Sequence, residues 1–417
     1  MTAHVLIAGA GIGGLGAALT LGQIGLKITV LEQSDVFGEV GAGVQISPNA
    51  YKVLCDWGLA DVLKQTANFP ERLQVRNATS NKLLGQLTLG ESAQTRYGYP
   101  FSTFHRADLH TLLLNAVRQQ PNVELHLNAK IIDIVDSSFP RRRESIVALV
   151  DSRLRGNDSS GQQVQVTAET GGSFTADILI GADGLRSRVR QHVLGNAEPR
   201  STGHTAWRAL LPLAEVPPQL QQDQVTAWLA PDSHTIAYPV QQGKSLNIVH
   251  CAENSGQIGQ FNGINAVQPS YLLPEQLSKV LQNVFQTATE KNAWTRWDLF
   301  DRPPMTSSDQ MFNPAHPCIA LLGDAAHPML PYLAQGAGMA LEDAQVLAGA
   351  IKQNPNDLPS ALQLYAQTRW QRNAKVQARA RRNGQIFHAK PPVSWARDVA
   401  MGVLGEKIMD VPWLYGN

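Results

Sequence analysis

A strand, a glycine-rich turn and a second strand within the first 32 residues constrain the fold more than any other feature of this 417-residue chain. His4-Val5-Leu6-Ile7-Ala8 is a short apolar run of the kind that makes a buried parallel strand. It leads into Gly9-Ala10-Gly11-Ile12-Gly13-Gly14, which fits GxGxxG, and then into helical spacing from Leu15 to Gln23. Ile28-Thr29-Val30-Leu31 makes the second strand, ending at Glu32. Gly9 permits a tight turn, Gly11 lets a pyrophosphate approach the backbone, and Gly14 allows close helix–strand packing. The helix N-terminus offers free N–H groups and a positive dipole end to phosphates. Glu32 stands where an acid accepts hydrogen bonds from ribose hydroxyls, which argues against a 2′-phosphate. The unit predicts a dinucleotide site for FAD or NAD, and alone it does not choose between them.

Two later segments make that choice. Asp177-Ile178-Leu179-Ile180 is another apolar strand, running into Gly181-Ala182-Asp183-Gly184-Leu185-Arg186-Ser187. Cys318-Ile319-Ala320-Leu321-Leu322 is a third, leading to Gly323-Asp324-Ala325-Ala326-His327-Pro328. In this order the segments resemble the DG and GD motifs of the FAD-dependent aromatic hydroxylases, and Trp207-Arg208-Ala209 and Arg302-Pro303-Pro304 resemble their salicylate hydroxylase-like group. The resemblance covers nearly the whole chain and implies FAD as cofactor. It places Gly9, Gly11, Gly14 and Glu32 on the nucleotide, with Asp183 at the DG motif and Asp324 on the ribityl chain. Gln45 falls in a segment, Gly41 to Ala50, that lies under the flavin in the family. Arg106, in His105-Arg106-Ala107-Asp108-Leu109, matches an arginine that contacts FAD there. Gly336, Ala337 and Gly338 would bring a helix N-terminus to the flavin ring, where its dipole stabilises anionic reduced flavin.

The activity implied is monooxygenation: NAD(P)H reduces the flavin, O₂ adds as a C4a-hydroperoxide, and oxygen passes to a small phenolic or aromatic acid resembling salicylate or hydroxybenzoate. Such a ring needs a nearby base and excluded water. His327 follows the GD motif and is expected on the substrate side of the flavin. His234 and Tyr238 are four apart on a strand, hence on one face, and Arg208 suits a substrate carboxylate. The histidines show no HxH or HExxH arrangement, so no metal site is expected. Alternative readings are a ubiquinone-pathway-type hydroxylase and an inactive flavin-binding redox sensor.

The fold expected is α/β, a Rossmann-like FAD-binding domain with an inserted antiparallel-sheet substrate domain and C-terminal helices. Residues 1–70, 100–190 and 300–355 would form the first, 71–99 and 191–299 the second, and 356–417 the helical segment. Within the first, residues 137–159 do not fit the family: Ser138 to Ser145 and Asp151 to Asp158 look like an in-frame repeat insertion, expected as a mobile, functionless loop. The basic stretch Arg369 to Arg382 reads as a solvated helix face. A formal net charge of +1 supplies no field to attract nucleic acid. Three dispersed cysteines suit a reducing compartment, and no leader or stable membrane insertion is read, so a cytoplasmic monomer or homodimer is expected.

Overall fold

The structure, a computed structural model, describes residues 3–38, 43–136, 163–195, 198–253 and 276–416. Its first layer is a five-stranded parallel sheet centred on His4–Ala8, which lies between Lys27–Leu31 and Ile178–Gly181. Val123–His126 pairs outside Lys27–Leu31, and Ile319–Leu321 outside Ile178–Gly181. Val5, Leu6, Ile7, Ile178, Leu179 and Ile180 are fully buried because both faces of the sheet are covered. Burying each such side chain contributes about 1.5–3 kcal/mol, so Leu6→Ala would cost roughly 2–5 kcal/mol.

Helix Ile12–Gln23 packs on this sheet and against the long helix Gly336–Gln353. Its approach depends on Gly14, where a Cβ would stand 1.9 Å from the Gly9 carbonyl oxygen. Gly9 itself has φ +96°, and a Cβ there would lie 2.5 Å from the Ala182 carbonyl oxygen.

The second layer is a seven-stranded sheet in the order Thr295–Asp301, Arg200–Pro212, Ser245–Glu253, Ser233–Val240, Gln224–Ala230, Arg72–Asn77, Leu83–Thr88. It is antiparallel except at one junction, where Gln224–Ala230 runs parallel to Arg72–Asn77. Hairpins dictate antiparallel pairing only between neighbours in sequence, and these two strands come from distant segments. Trp207 and Trp228 face the outer side of this sheet, in a core closed by helix Lys279–Glu290.

A short ribbon joins the layers. Gly43–Ile46 pairs with Ser102–His105, and its Gly43 N–H donates to Asn247 Oδ1 at 2.6 Å on the large sheet. The Tyr238 ring leaves no room for a Cβ at Gly43, where the gap would be 2.5 Å.

Strands Ile131–Asp136 and Val164–Ala168 pair antiparallel, with Asp136 opposite Val164. The 137–159 segment between them lies outside the described residues, as do Gly41 and Ala42.

Helix Leu358–Phe387 corrects the expectation of a solvated basic face. Arg369 is buried, donating through Nε to Asp343 Oδ1 and through Nη1 to Glu342 Oε2, both at 2.7 Å. Arg372 also pairs with Glu342, and Arg381 with Asp301. The helix packs on Gly336–Gln353, so its cations neutralise acids that the packing takes out of water. No helix among the described residues is long and apolar enough to cross a membrane.

Candidate active site

The three strand–turn units meet because their strands are parallel neighbours, so all three turns emerge at the same edge of the sheet. Gly11, Gly13, Ala182, Gly184, Gly323 and Asp324 line one wall of a cavity there, with Gly336 and Ala337 from the start of helix Gly336–Gln353. Gln45 and Arg106 complete this side. Glycine at 13 is required by space, since a Cβ would come within 2.8 Å of Leu322 Cδ2. The opposite wall is the inner face of the large sheet, carrying Arg208, His234, Ile236, Tyr238, Val249 and Cys251. His234, Ile236 and Tyr238 share that face through the two-residue repeat of a strand. Met329, Leu330 and Pro331 close a third side with apolar surface.

Not every expected residue reaches this cavity. Gly9 and Gly14 shape the turn behind it, and Gly338 packs against Ala50, 3.2 Å from where its Cβ would be. Glu32 lies beside an adjoining pocket with Ala10, Gly11 and His110. Its carboxylate accepts the N–H groups of Ala10 at 2.8 Å and Ser34 at 2.9 Å. Asp183 caps helix Arg188–Leu194, Oδ2 accepting from Arg188 N–H at 2.7 Å and Val189 N–H at 3.2 Å. Its other oxygen, Oδ1, is buried without a hydrogen-bond partner, and burial pushes the carboxyl pKa up.

His327 departs from its expected place. It is fully buried away from the cavity, with Nε2 at 2.5 Å from Asp343 Oδ2. Asp343 also accepts the Gly323 N–H at 3.2 Å and Asn373 Nδ2 at 3.0 Å. Burial pushes the Asp343 carboxyl up, but His327 and Arg369 override it and hold the group well below the usual carboxylate range. The motif histidine thus braces the Gly323-Asp324 turn from behind. The strand periodicity that located His234 has no counterpart for an irregular turn, so the direction of His327 was not readable.

The other three candidates converge. Tyr238 is buried, its pKa raised by burial and partly offset by Arg208 and a hydrogen bond with Gln45. Arg208 lies over the Trp297 ring at 5.5 Å. His234 is 2% exposed, and its Nδ1 is 2.8 Å from His388 Nε2. Burial, then His388, holds its pKa well below the ordinary histidine value, so it is a neutral imidazole. The partners His388, His204 and Tyr332 were not found from sequence, because they sit on three separate elements with no local pattern linking them. Arg190 was also missed; it donates Nη1 to the Ala325 and Ala326 carbonyls at 3.1 and 2.9 Å, bracing the GD turn. Whereas spacing suggested no metal ligands, the fold brings His204, Glu253 and His388 together with ligand atoms within 4.8 Å.

The chain matches the family described as FAD binding domain over residues 2–380. It belongs to that family. Within it, the chain is 35% identical over 425 residues to 3-hydroxybenzoate 6-hydroxylase 1 of Aquipseudomonas alcaligenes, covering 99% of this chain and 98% of the relative. It is 30% identical to 6-hydroxynicotinate 3-monooxygenase of Pseudomonas fluorescens, over 94% of each. Its fold is similar to that of a salicylate hydroxylase substrate complex, with TM-score 0.77, 22% identity and coverage of 99% of this chain and 95% of that one. The protein is therefore a FAD-dependent monooxygenase.

The cavity suits that cofactor on its own terms. A flavoprotein of this family needs a wall where phosphates meet bare backbone, and the turn around Gly11 and Gly13 supplies it. The orphaned Asp183 Oδ1 is an acceptor of the kind that ribose or ribityl hydroxyls satisfy, and Asp324 lines the cavity.

Proposed function

We propose that this monooxygenase uses NAD(P)H and O₂ to hydroxylate a small phenolic acid of the hydroxybenzoate type. The convergence of Arg208, His234 and Tyr238 on one wall, opposite the glycine-rich turns, carries the reading. A cation, a neutral base and a phenolic hydroxyl are what a carboxylated phenol would engage, and Ile236, Val249, Met329 and Leu330 would hold its apolar ring. The relatives named for 3-hydroxybenzoate and 3-amino-4-hydroxybenzoate support the class.

In this reading Gly11, Gln45, Arg106, Asp324, Gly336 and Ala337 contact FAD, while Gly9, Gly14 and Asp183 shape its cradle and Glu32 meets the ribose. Bound FAD supplies the two-electron chemistry linking the reduced nicotinamide, dioxygen and the ring. Arg208 orients the carboxylate, and His234 accepts the phenolic proton, making the ring electron-rich. Tyr238 fixes the ring's position through its hydroxyl. The parallel-sheet layer serves as the FAD domain and the seven-stranded sheet as the substrate domain. Free Cys55, Cys251 and Cys318 fit a reducing cytoplasm, and nothing in the proposed chemistry requires more than a monomer.

The test is a panel of monohydroxybenzoates, aminohydroxybenzoates and 6-hydroxynicotinate on the purified yellow protein, following NADH oxidation and peroxide release. A phenolic acid that stimulates NADH oxidation without equivalent peroxide confirms the reading. Flavin without any aromatic-stimulated oxidation would overturn it.

A further inference from the structure

His234 is the inner end of a chain of hydrogen-bonding side chains that reaches the protein surface. Its Nδ1 lies 2.8 Å from His388 Nε2, and His388 Nδ1 lies 3.3 Å from Glu253 Oε1. Exposure rises along this path: His388 is 1% exposed and the Glu253 side chain 45%. The geometry is anchored by backbone. Asp232 N–H donates to the His388 carbonyl at 3.1 Å, and Glu253 N–H donates to the Asp232 carbonyl at 2.8 Å. One turn therefore fixes both outer members.

The identity of the outermost group sets every proton along the chain. An ionised carboxylate only accepts, so His388 donates Nδ1–H to Glu253 and keeps a lone pair on Nε2. That lone pair accepts Nδ1–H from His234, which leaves the lone pair of His234 on Nε2. Since Nδ1 is committed to His388 and the residue lines the cavity, Nε2 is the nitrogen available to a bound phenol. Burial keeps both rings neutral: the His234 pKa lies well below the ordinary value and that of His388 falls to about 4.

We propose that His388 and Glu253 form a proton exit for His234, setting its tautomer and carrying the substrate's phenolic proton from the cavity to solvent. The proposal rests on the phenol reading above. In the first step the phenol O–H bond breaks and an N–H bond forms at His234 Nε2. As His234 becomes cationic, its Nδ1 proton passes to His388 Nε2. His388 then releases its Nδ1 proton to Glu253 and on to water. One proton leaves, no electrons move, and the substrate remains as the phenolate.

The surroundings favour a transient rather than a resident cation. The His204 ring stacks on His388 at 5.1 Å and 19°, with its Nδ1 held by the Tyr332 hydroxyl at 2.6 Å. His250 and Cys251 flank His234 across the neighbouring strand. Arg397 donates to the Ile386 and Phe387 carbonyls just before His388. Asp232 is paired with Lys390 at 2.8 Å. Among the described residues, Glu253 is thus the acid in hydrogen-bonding reach of His388.

His388 and Glu253 are positioning residues, and the test uses the FAD-loaded protein with 3-hydroxybenzoate, followed by other phenols of the panel if this one is inactive. Glu253→Gln keeps an acceptor and removes the charge; Glu253→Asp restores it. The expected result is that E253Q keeps its FAD content and lowers kcat about tenfold to a hundredfold. The pH at which bound substrate shows phenolate absorbance should move upward, and E253D should recover most of the loss. An E253Q protein with wild-type kcat and an unmoved phenolate titration would overturn the proposal. So would a stoichiometric metal in the purified protein, which would make Glu253 a ligand alongside His204 and His388. Wild-type protein unresponsive to every phenol would instead sink the functional reading, and the relay with it.

Discussion

His327 and Asp343 lie 2.5 Å apart with neither side chain reaching solvent, and this contact ties the GD turn to the core of the helix behind it. Arg369 completes the group from a third element. Removing one partner of a buried set strands the remaining charges, at a cost of about 3–5 kcal/mol. Asp343→Asn should therefore lower Tm by several degrees and weaken FAD retention, though no substrate atom is touched. A melt and a 450 nm to 280 nm absorbance ratio check this, and an unchanged pair of values would refute it. The sign of the pH dependence follows from the depressed Asp343 pKa. Its contribution is fully present above the unfolded carboxylate value of about 3.9 and is lost as pH falls toward the folded value.

Glycine substitutions should separate by geometry. Gly14→Ala puts a methyl 1.9 Å from the Gly9 carbonyl oxygen, so soluble protein should emerge without bound flavin or not fold. Gly349 sits within helix Gly336–Gln353 with nothing within 4 Å of its Cβ position. Gly349→Ala should stabilise by about 0.5–1 kcal/mol through helix propensity. Equal effects of the two changes on Tm would show that the turn is less crowded than the structure has it.

Arg208 on the cavity wall predicts a split between binding and turnover. Arg208→Met should raise KM for a carboxylated phenol by about 10- to 100-fold, the worth of a charge-assisted hydrogen bond. An uncharged phenol of the same ring pattern should be affected far less. Parallel losses on both substrates would instead assign Arg208 to the cofactor or to the sheet.

Buried neutral histidines make stability pH-dependent in the mildly acidic range. His250, hydrogen-bonded with Thr235 at 2.9 Å, has its pKa lowered to about 3 by burial and then His388. His388 itself falls to about 4 by burial and then His204. Below an unfolded value of about 6.5 the unfolded chain binds protons that the folded chain refuses, so stability declines as pH drops through that point. Tm should fall between about pH 7.5 and 5, and His250→Gln should flatten the slope. A level Tm profile across that range would contradict the burial of these rings.

What the sequence made legible was governed by periodicity. The strand–turn–helix unit at Gly9 to Gly14 could be placed because each glycine answers a local steric demand, now visible at the Ala182 and Gly9 carbonyls. His234 and Tyr238 could be put on one face because a strand alternates. His327 could not be aimed, since an irregular turn has no period and its partner Asp343 is set by packing between two helices. Nor could Arg369 be told from its solvated neighbours, as burial depends on which side of Leu358–Phe387 meets Gly336–Gln353. His388 and Glu253 lie 135 positions apart, and only the docking of the end of helix Leu358–Phe387 on the strand end at Glu253 brings them together.

The parallel seam between Arg72–Asn77 and Gln224–Ala230 also bears on how the protein is made. A ribosome adding about 5–20 residues per second exposes the first strand on the order of ten seconds before its partner emerges. Through that interval the hairpin Arg72–Thr88 carries an open edge, with Val75 and Leu84 not yet covered. Two of the seven strands of this sheet thus wait for the other five, and slowing or crowding synthesis should cost yield at this seam before it costs activity in the molecules that succeed.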